Sequence, residues 1–324
     1  MREIKTGEIA RNQWKKWLSG NGAYLALILL VIAASAIYKD MFFSYTNLSN
    51  ILRQSSMIGL ISIGMTCVIL TAGIDLSVGA TVGLSAVFAA KLSSVGFWPA
   101  LLVPVFLGLG VGFINGFVIA KMKIVPFIGT LAVQMAVRGI AYILTDIKSI
   151  SVSKECTAFP LIGRGYLYGV PIPVIIFAVL AAVMIVISKS SSFGRSLYAI
   201  GGNEDAAKMM GLKVRKNKMI CYTITGGLSA VAGVILCSRL GAGQPVAGLG
   251  WEMDAVAAVA IGGTLLTGGV GGIGKTIAGV FIVGIIGNVI NLQGTVNTYV
   301  QKIIMGAIVL AVIMIQKRTQ REEG

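Results

Sequence analysis

Long apolar runs dominate the chain, and short polar clusters separate them. The runs fall at 23–38, 55–72, 76–91, 97–120, 126–145, 170–188, 219–237, 254–268, 276–292 and 299–315. A helix needs roughly 17–25 mostly apolar residues to cross a bilayer. The pattern therefore predicts an all-α polytopic membrane protein with about ten transmembrane helices. It gives a cytoplasmic tail over 1–20, a transmembrane domain over 21–316 with a cytoplasmic loop at 189–218, and a tail over 317–324.

Two runs are short, 76–91 and 254–268. At ~1.5 Å per residue they hardly cross a ~30 Å core. An acid opens each: Asp75 in "GIDLSVG" and Asp254 in "WEMDAVAAVAIGG". Both acids are expected as helix N-caps. Runs two to five and seven to ten form matching sets. The second run of each set is the short one. The third carries small residues and an Asn, "GVGFING" with Asn115 and "GIIGNVI" with Asn288. An inverted repeat with short, glycine-interrupted helices at matching positions points to a translocation path.

Charge sets the orientation. Of the 27 Lys and Arg residues, 18 fall in cytoplasmic segments when both termini are placed inside. Asp75 then lies on the cytoplasmic side and Asp254 on the outer side. The net charge of +15 reads as this topology signal, not as a nucleic-acid surface. Hydrophobic residues make up 56%, charged residues 12%, and mean hydropathy is +0.87. There is no His, which removes the commonest general base and metal ligand. Cys67, Cys156, Cys221 and Cys237 have no metal or disulfide spacing.

"TGGVGGIGKT" formally matches a phosphate-binding loop. Such a loop needs a preceding strand and a soluble α/β domain. Here it joins two membrane runs, so a glycine turn with one inside-anchoring Lys275 is expected instead. The longest inside segment contains "GGNEDAAKMMG". Asn203 suits an N-cap, Glu204 and Asp205 suit the first turn, Lys208 follows Glu204 at i+4, and Gly211 suits a C′ stop. A short surface helix follows. Ala206, Ala207, Met209 and Met210 give it a small apolar face for docking another protein.

Arg138 lies inside a run and is costly in lipid. Pairing with Asp75 is the expected solution; substrate contact and snorkelling are the alternatives. Trp251 and Glu252 are expected just before the outer short helix, at the outer mouth.

The stretches "GMTCVILTAGIDLSVGATVGLSA", "PFIGTLAVQMAVRGIAYILT", "FGRSLYAIGGNEDAAKMMGL" and "EMDAVAAVAIGGTLLTGGVGGIGKTIAG" resemble the membrane permease of the ribose-type sugar importers. This bacterial ATP-binding-cassette family also holds xylose, galactose and autoinducer-2 permeases. The resemblance implies a plasma-membrane complex. A second permease copy or homologue, a pair of cassette ATPase domains carrying ATP and Mg, and a sugar-binding protein complete it. No cofactor is expected on this chain, and no catalysis. Asn203, Glu204, Ala206, Ala207 and Gly211 match the family's coupling helix, with Asp205 interrupting its Glu-Ala-Ala run. A neutral sugar needs hydroxyl and amide partners, so Ser62, Thr66, Asn115, Thr130 and Asn288 are path candidates beside Asp75, Arg138, Glu252 and Asp254. Such membrane residues more often bond to helix backbones. The alternatives are a stand-alone sugar/ion symporter, an intramembrane enzyme, or an importer permease for autoinducer-2 or a branched-chain amino acid.

Overall fold

A computed structural model describes the backbone of residues 2–294, 300, 302–308, 310–312 and 314, with side chains from residue 21 onward. The expected tail 317–324 and part of the expected run 299–315 lie outside the described residues. The chain opens with α1 (Arg2–Phe43), whose apolar part is Asn21–Phe43. The 1–20 segment is thus helical from Arg2 and continuous with the first span. Ser44 breaks the helix and caps the next one, accepting from the Asn47 backbone N–H at 3.3 Å.

Next come α2 (Tyr45–Leu70), α3 (Val78–Leu92), α4 (Phe97–Ala120) and α5 (Pro126–Ile143). A 144–171 connection carries β1 (Ile150–Ser151), α6 (Phe159–Arg164), β2 (Tyr166–Leu167) and β3 (Val170–Pro171). Then follow α7 (Ile172–Ser190), α8 (Ser192–Gly202), α9 (Glu204–Met209), α10 (Val214–Leu240), β4 (Ala242–Gly243), α11 (Trp251–Ile261) and α12 (Ile273–Gln293).

Among the described residues, seven helices are long and apolar enough to cross a membrane: α1, α2, α4, α5, α7, α10 and α12. The two short runs are short helices too. α3 has 15 residues and α11 has 11, about 22 Å and 17 Å at ~1.5 Å per residue. A further short apolar helix covers Lys302–Val312.

At the centre stands α2, where every residue from Ser55 to Leu70 is buried. A helix apolar on all sides belongs inside a bundle. It packs against α7, α10, α11 and α12. The apolar side chains left exposed on α1, α4, α5 and α7, such as Leu29, Phe106, Ile128 and Val179, form the lipid-facing surface.

The tightest seam joins α4 and α10. Gly108, Gly112 and Gly116 recur every four residues, on one face of α4. A Cβ at Gly108 would lie 2.5 Å from the Gly226 carbonyl oxygen, and one at Gly116 would lie 2.7 Å from the Met219 Cα. One at Gly112 would overlap the Tyr222 carbonyl. The two backbones therefore touch, which only small residues permit.

The 144–171 connection folds back onto the end of α10. β1 pairs antiparallel with β4, Ile150 opposite Gly243. Ser238 Oγ accepts from the Gly163 N–H at 2.8 Å and donates to the Phe159 carbonyl at 2.6 Å.

Several boundaries differ from the sequence reading, three of them at candidate residues. α2 starts at Tyr45, ten residues before the expected run. Its first turns carry Asn47, Asn50 and Gln54, which face a cavity and not lipid, so hydropathy missed them. α11 starts at Trp251, so Trp251 and Glu252 belong to the helix, and Asp254 sits a turn inside it behind the Gly250 cap. α3 begins at Val78, with Asp75 just ahead of it.

Candidate functional site

The surface helix α9 forms as its caps dictate. Asn203 Oδ1 accepts from the Ala206 N–H at 2.9 Å. At the other end Gly211 takes a φ of +80°, and the Leu212 N–H reaches back to the Ala207 carbonyl at 3.1 Å while the Gly211 N–H bonds to the Lys208 carbonyl. This is a Schellman stop, which favours Gly at the left-handed position. Lys208 bridges Glu204 at 2.8 Å and Asp205 at 3.2 Å, and Lys218 of α10 holds Glu204 at 2.5 Å. Burial pushes the Glu204 carboxyl up, but the two lysines outweigh it and hold the group below its usual range.

The expected apolar face of α9 splits in two. Ala207 turns inward and is buried with Ile200 and Val214. Met209 and Met210 point away from the bundle, 89% and 68% exposed. The segment ahead of α9 is helical as well. α8, capped by Ser191 Oγ on the Gly194 N–H, was not expected as a helix.

α8 sits on the glycine turn that formally matched a phosphate loop. A Cβ at Gly201 would overlap the Leu70 carbonyl and the Gly269 N–H. The Gly269 N–H is already bonded to that Leu70 carbonyl at 3.1 Å, and the Gly272 N–H to Thr264 Oγ1 at 3.3 Å. Thr276 Oγ1 is buried and lies 2.8 Å from Thr66 Oγ1. A helix, α11, and not a strand precedes the turn. These donors therefore tie α8, α2 and α12 together instead of cradling a phosphate.

Asp75 is fully buried and does not meet Arg138. Its Oδ1 accepts from the Ser77 N–H at 2.9 Å, from Ser77 Oγ at 2.7 Å and from Asn115 Nδ2 at 3.1 Å. The group thus locks the start of α3 to α4. Arg138 lies further along α3, against Gly83. Its Nη1 donates to the Pro245 and Ala247 carbonyls at 2.5 Å and 2.8 Å. The expected Asp75–Arg138 pair is thus replaced by a guanidinium on carbonyls of the irregular loop between β4 and α11. Glu252 is also buried there, and Gln134 Nε2 donates to its Oε1 at 3.4 Å.

Ser62 Oγ donates to the Ile58 carbonyl at 2.8 Å and Thr130 Oγ1 to the Pro126 carbonyl at 2.8 Å. Thr66 Oγ1 donates to the Ser62 carbonyl at 2.7 Å. All three satisfy their own helices.

The remaining two candidates, Asp254 and Asn288, come together. They line a cavity of about 370 Å³ between α2, α11 and α12. Asn288 exchanges hydrogen bonds with Asn47, at 2.6 Å and 3.2 Å. Sequence reasoning missed Asn47, Asn50, Gln54 and Asn291 on this wall. The signal was present as amides spaced three, four and seven residues apart on two helices.

Comparison with known proteins agrees with this architecture. Residues 47–313 match the family model described as branched-chain amino acid transport system / permease component. The ribose import permease protein of Haemophilus influenzae is 40% identical over 95% of this chain and 96% of its own length. The ribose import permease protein of Bacillus subtilis is 42% identical over 92% of each chain. The L-arabinose transport system permease protein of Escherichia coli K12 is 33% identical over 92% of this chain and 90% of its own. No solved structure matches. The chain is a multi-pass protein of the bacterial inner membrane, and it belongs to this permease family, within it to the ribose-type importer permeases.

Proposed function

We propose that the chain is the membrane subunit of an ATP-binding-cassette importer that carries a monosaccharide of the ribose type inward. Two permease subunits line one path, a soluble binding protein delivers sugar on the outer side, and cassette ATPase domains with ATP and Mg dock on the inner side. Both termini then lie in the cytoplasm, with ten helices in the membrane and α2–α5 related to α10–α12 and the last helix by an inverted repeat. The Lys and Arg distribution supports that orientation. Relatives named for ribose, arabinose and xylose support a sugar over an amino acid.

One observation carries the reading. α9 is capped at both ends, seated on the bundle through Ala207, and presents Met209 and Met210 to the outside. Methionine pairs suit an adaptable protein interface. Force applied to α9 has a short route inward, through α8 and the Gly201–Gly269 backbone contact to the end of α2.

Replacing Glu204, Asp205, Lys208, Met209 and Met210 together by Ala is the test, in the complex assembled with its ATPase and binding protein. Sugar-stimulated ATP hydrolysis and uptake should both fall at least about ten-fold, the size of an ordinary coupling energy. Unchanged values would reject α9 as the coupling element.

A further inference from the structure

The cavity between α2, α11 and α12 has a composition that the fold alone does not require. On α2, Asn47, Gln54 and Ser55 line it, together with the apolar Ile51 and Ile58. These positions recur at helical spacing, so the inward-facing side of the first turns of α2 is largely polar. On α12 the facing stripe is Gly284, Gly287, Asn288 and Asn291, again one face, with Gly284 packed against Ser55 Oγ. α11 closes the third side with Trp251 and Asp254. Asn50, Gln54 and Asn291 are exposed and Asn47, Asn288 and Asp254 half-buried, and polar side chains on the wall of a membrane bundle belong at a water-filled or ligand-filled space.

We propose that this cavity is a sugar-recognition subsite of the permease itself, taking one neutral pentose. The inference rests on the importer reading above and adds a binding site within this chain. The chemistry is that of a polyol. Each amide offers two N–H donors and an acceptor oxygen, and a hydroxyl both gives and takes a hydrogen bond. Asn47 spends both its N–H donors, on the Phe42 carbonyl and on Asn288 Oδ1, while Asn288 gives one of its two to Asn47 Oδ1. Ser55 Oγ is buried at the wall without a partner among the described residues. Asp254 adds a carboxylate that can accept from neighbouring hydroxyls, and Lys302 is its countercharge. Trp251 gives the apolar C–H face of a sugar ring a flat surface. About 370 Å³ falls in the range of small-molecule sites, roughly 300–1,000 Å³.

The four native cysteines are buried, so an introduced thiol can report occupancy. Asn288→Cys and, separately, Asn291→Cys are made in the complete complex in proteoliposomes. Tyr168→Cys, at a position 97% exposed on the β2–β3 turn, serves as the control. Each is modified with a small hydrophilic thiol reagent in the presence of D-ribose, L-leucine or isosmotic betaine, and D-ribose uptake of the unsubstituted complex is measured in parallel. D-ribose should slow modification at 288 or 291 by at least about five-fold, as a ligand that buries most of its surface does, with Tyr168→Cys unaffected. Uptake together with equal modification rates at both positions would overturn the subsite and leave the importer reading standing. Protection by L-leucine and not by D-ribose would overturn it too. Absence of D-ribose uptake by the unsubstituted complex would instead strike the importer reading, and the subsite with it.

Discussion

The α4–α10 seam and the surface helix α9 are held by opposite means. The seam has no ion pair among its described residues and depends on backbone touching backbone at Gly108, Gly112 and Gly226. α9 has two caps, three ion-pair contacts and a single buried residue, Ala207. The seam is set by shape and dispersion, which forbid small displacements. α9 is set by local hydrogen bonds and screened charges, each worth little alone. In the coupling role proposed for α9, the seam is the rigid body of a driven permease and α9 its yielding handle.

The largest effect separates the two regions by bulk. Gly112→Leu would drive a side chain into the Tyr222 carbonyl and should cost about 3 kcal/mol or more. Its melting midpoint in detergent should fall sharply or the protein fail to accumulate. Gly110→Leu, on the open side of the same helix with nothing within 4 Å, should melt like the unsubstituted protein. Equal melting of the two variants would mean that the backbones do not touch.

A smaller effect probes the handle. Asn203→Ala removes the bond to the Ala206 N–H and should cost about 1 kcal/mol. Because α9 can open by itself, the loss should appear as roughly five-fold faster exchange of the Ala206 amide, with the global melting midpoint unmoved. A shift of the global midpoint would tie α9 rigidly to the bundle.

The smallest effect is one of charge. Glu204 is partly exposed, so Glu204→Gln should cost less than about 0.5 kcal/mol at neutral pH. Its folded pKa is depressed, so its contribution is fully present above the unfolded value of about 4.3 and is lost as pH falls through the lower folded value. The difference between variant and parent should therefore vanish in acid and in high salt. A difference that persists in both would show that Glu204 acts by packing.

The same contrast explains what could be read from the chain alone. Asn203, Glu204, Lys208 and Gly211 act on residues a few positions away, so the string "NEDAAKMMG" already specified its helix and both ends. The membrane runs were legible for the same reason, since hydropathy is local. Partners distant in sequence were not. Arg138 finds carbonyls more than a hundred residues away at Pro245 and Ala247, and no local pattern distinguishes them from Asp75. Ala207 reads as docking surface until Val214 and Ile200 are seen to cover it. The first turns of α2 were lost because hydropathy assumes that a helix in the membrane faces lipid, whereas Asn47 and Gln54 face a cavity. The β1–β4 ladder is two residues long and leaves no periodicity to detect.

The most direct measurement is D-ribose uptake into proteoliposomes holding either the purified chain alone or the chain with its cassette ATPase and binding protein. Uptake is expected only in the second case, only with hydrolysable ATP, and is lost on replacing the exposed residues of α9. Uptake by the chain alone, driven by a proton or sodium gradient, would contradict an ATP-driven importer.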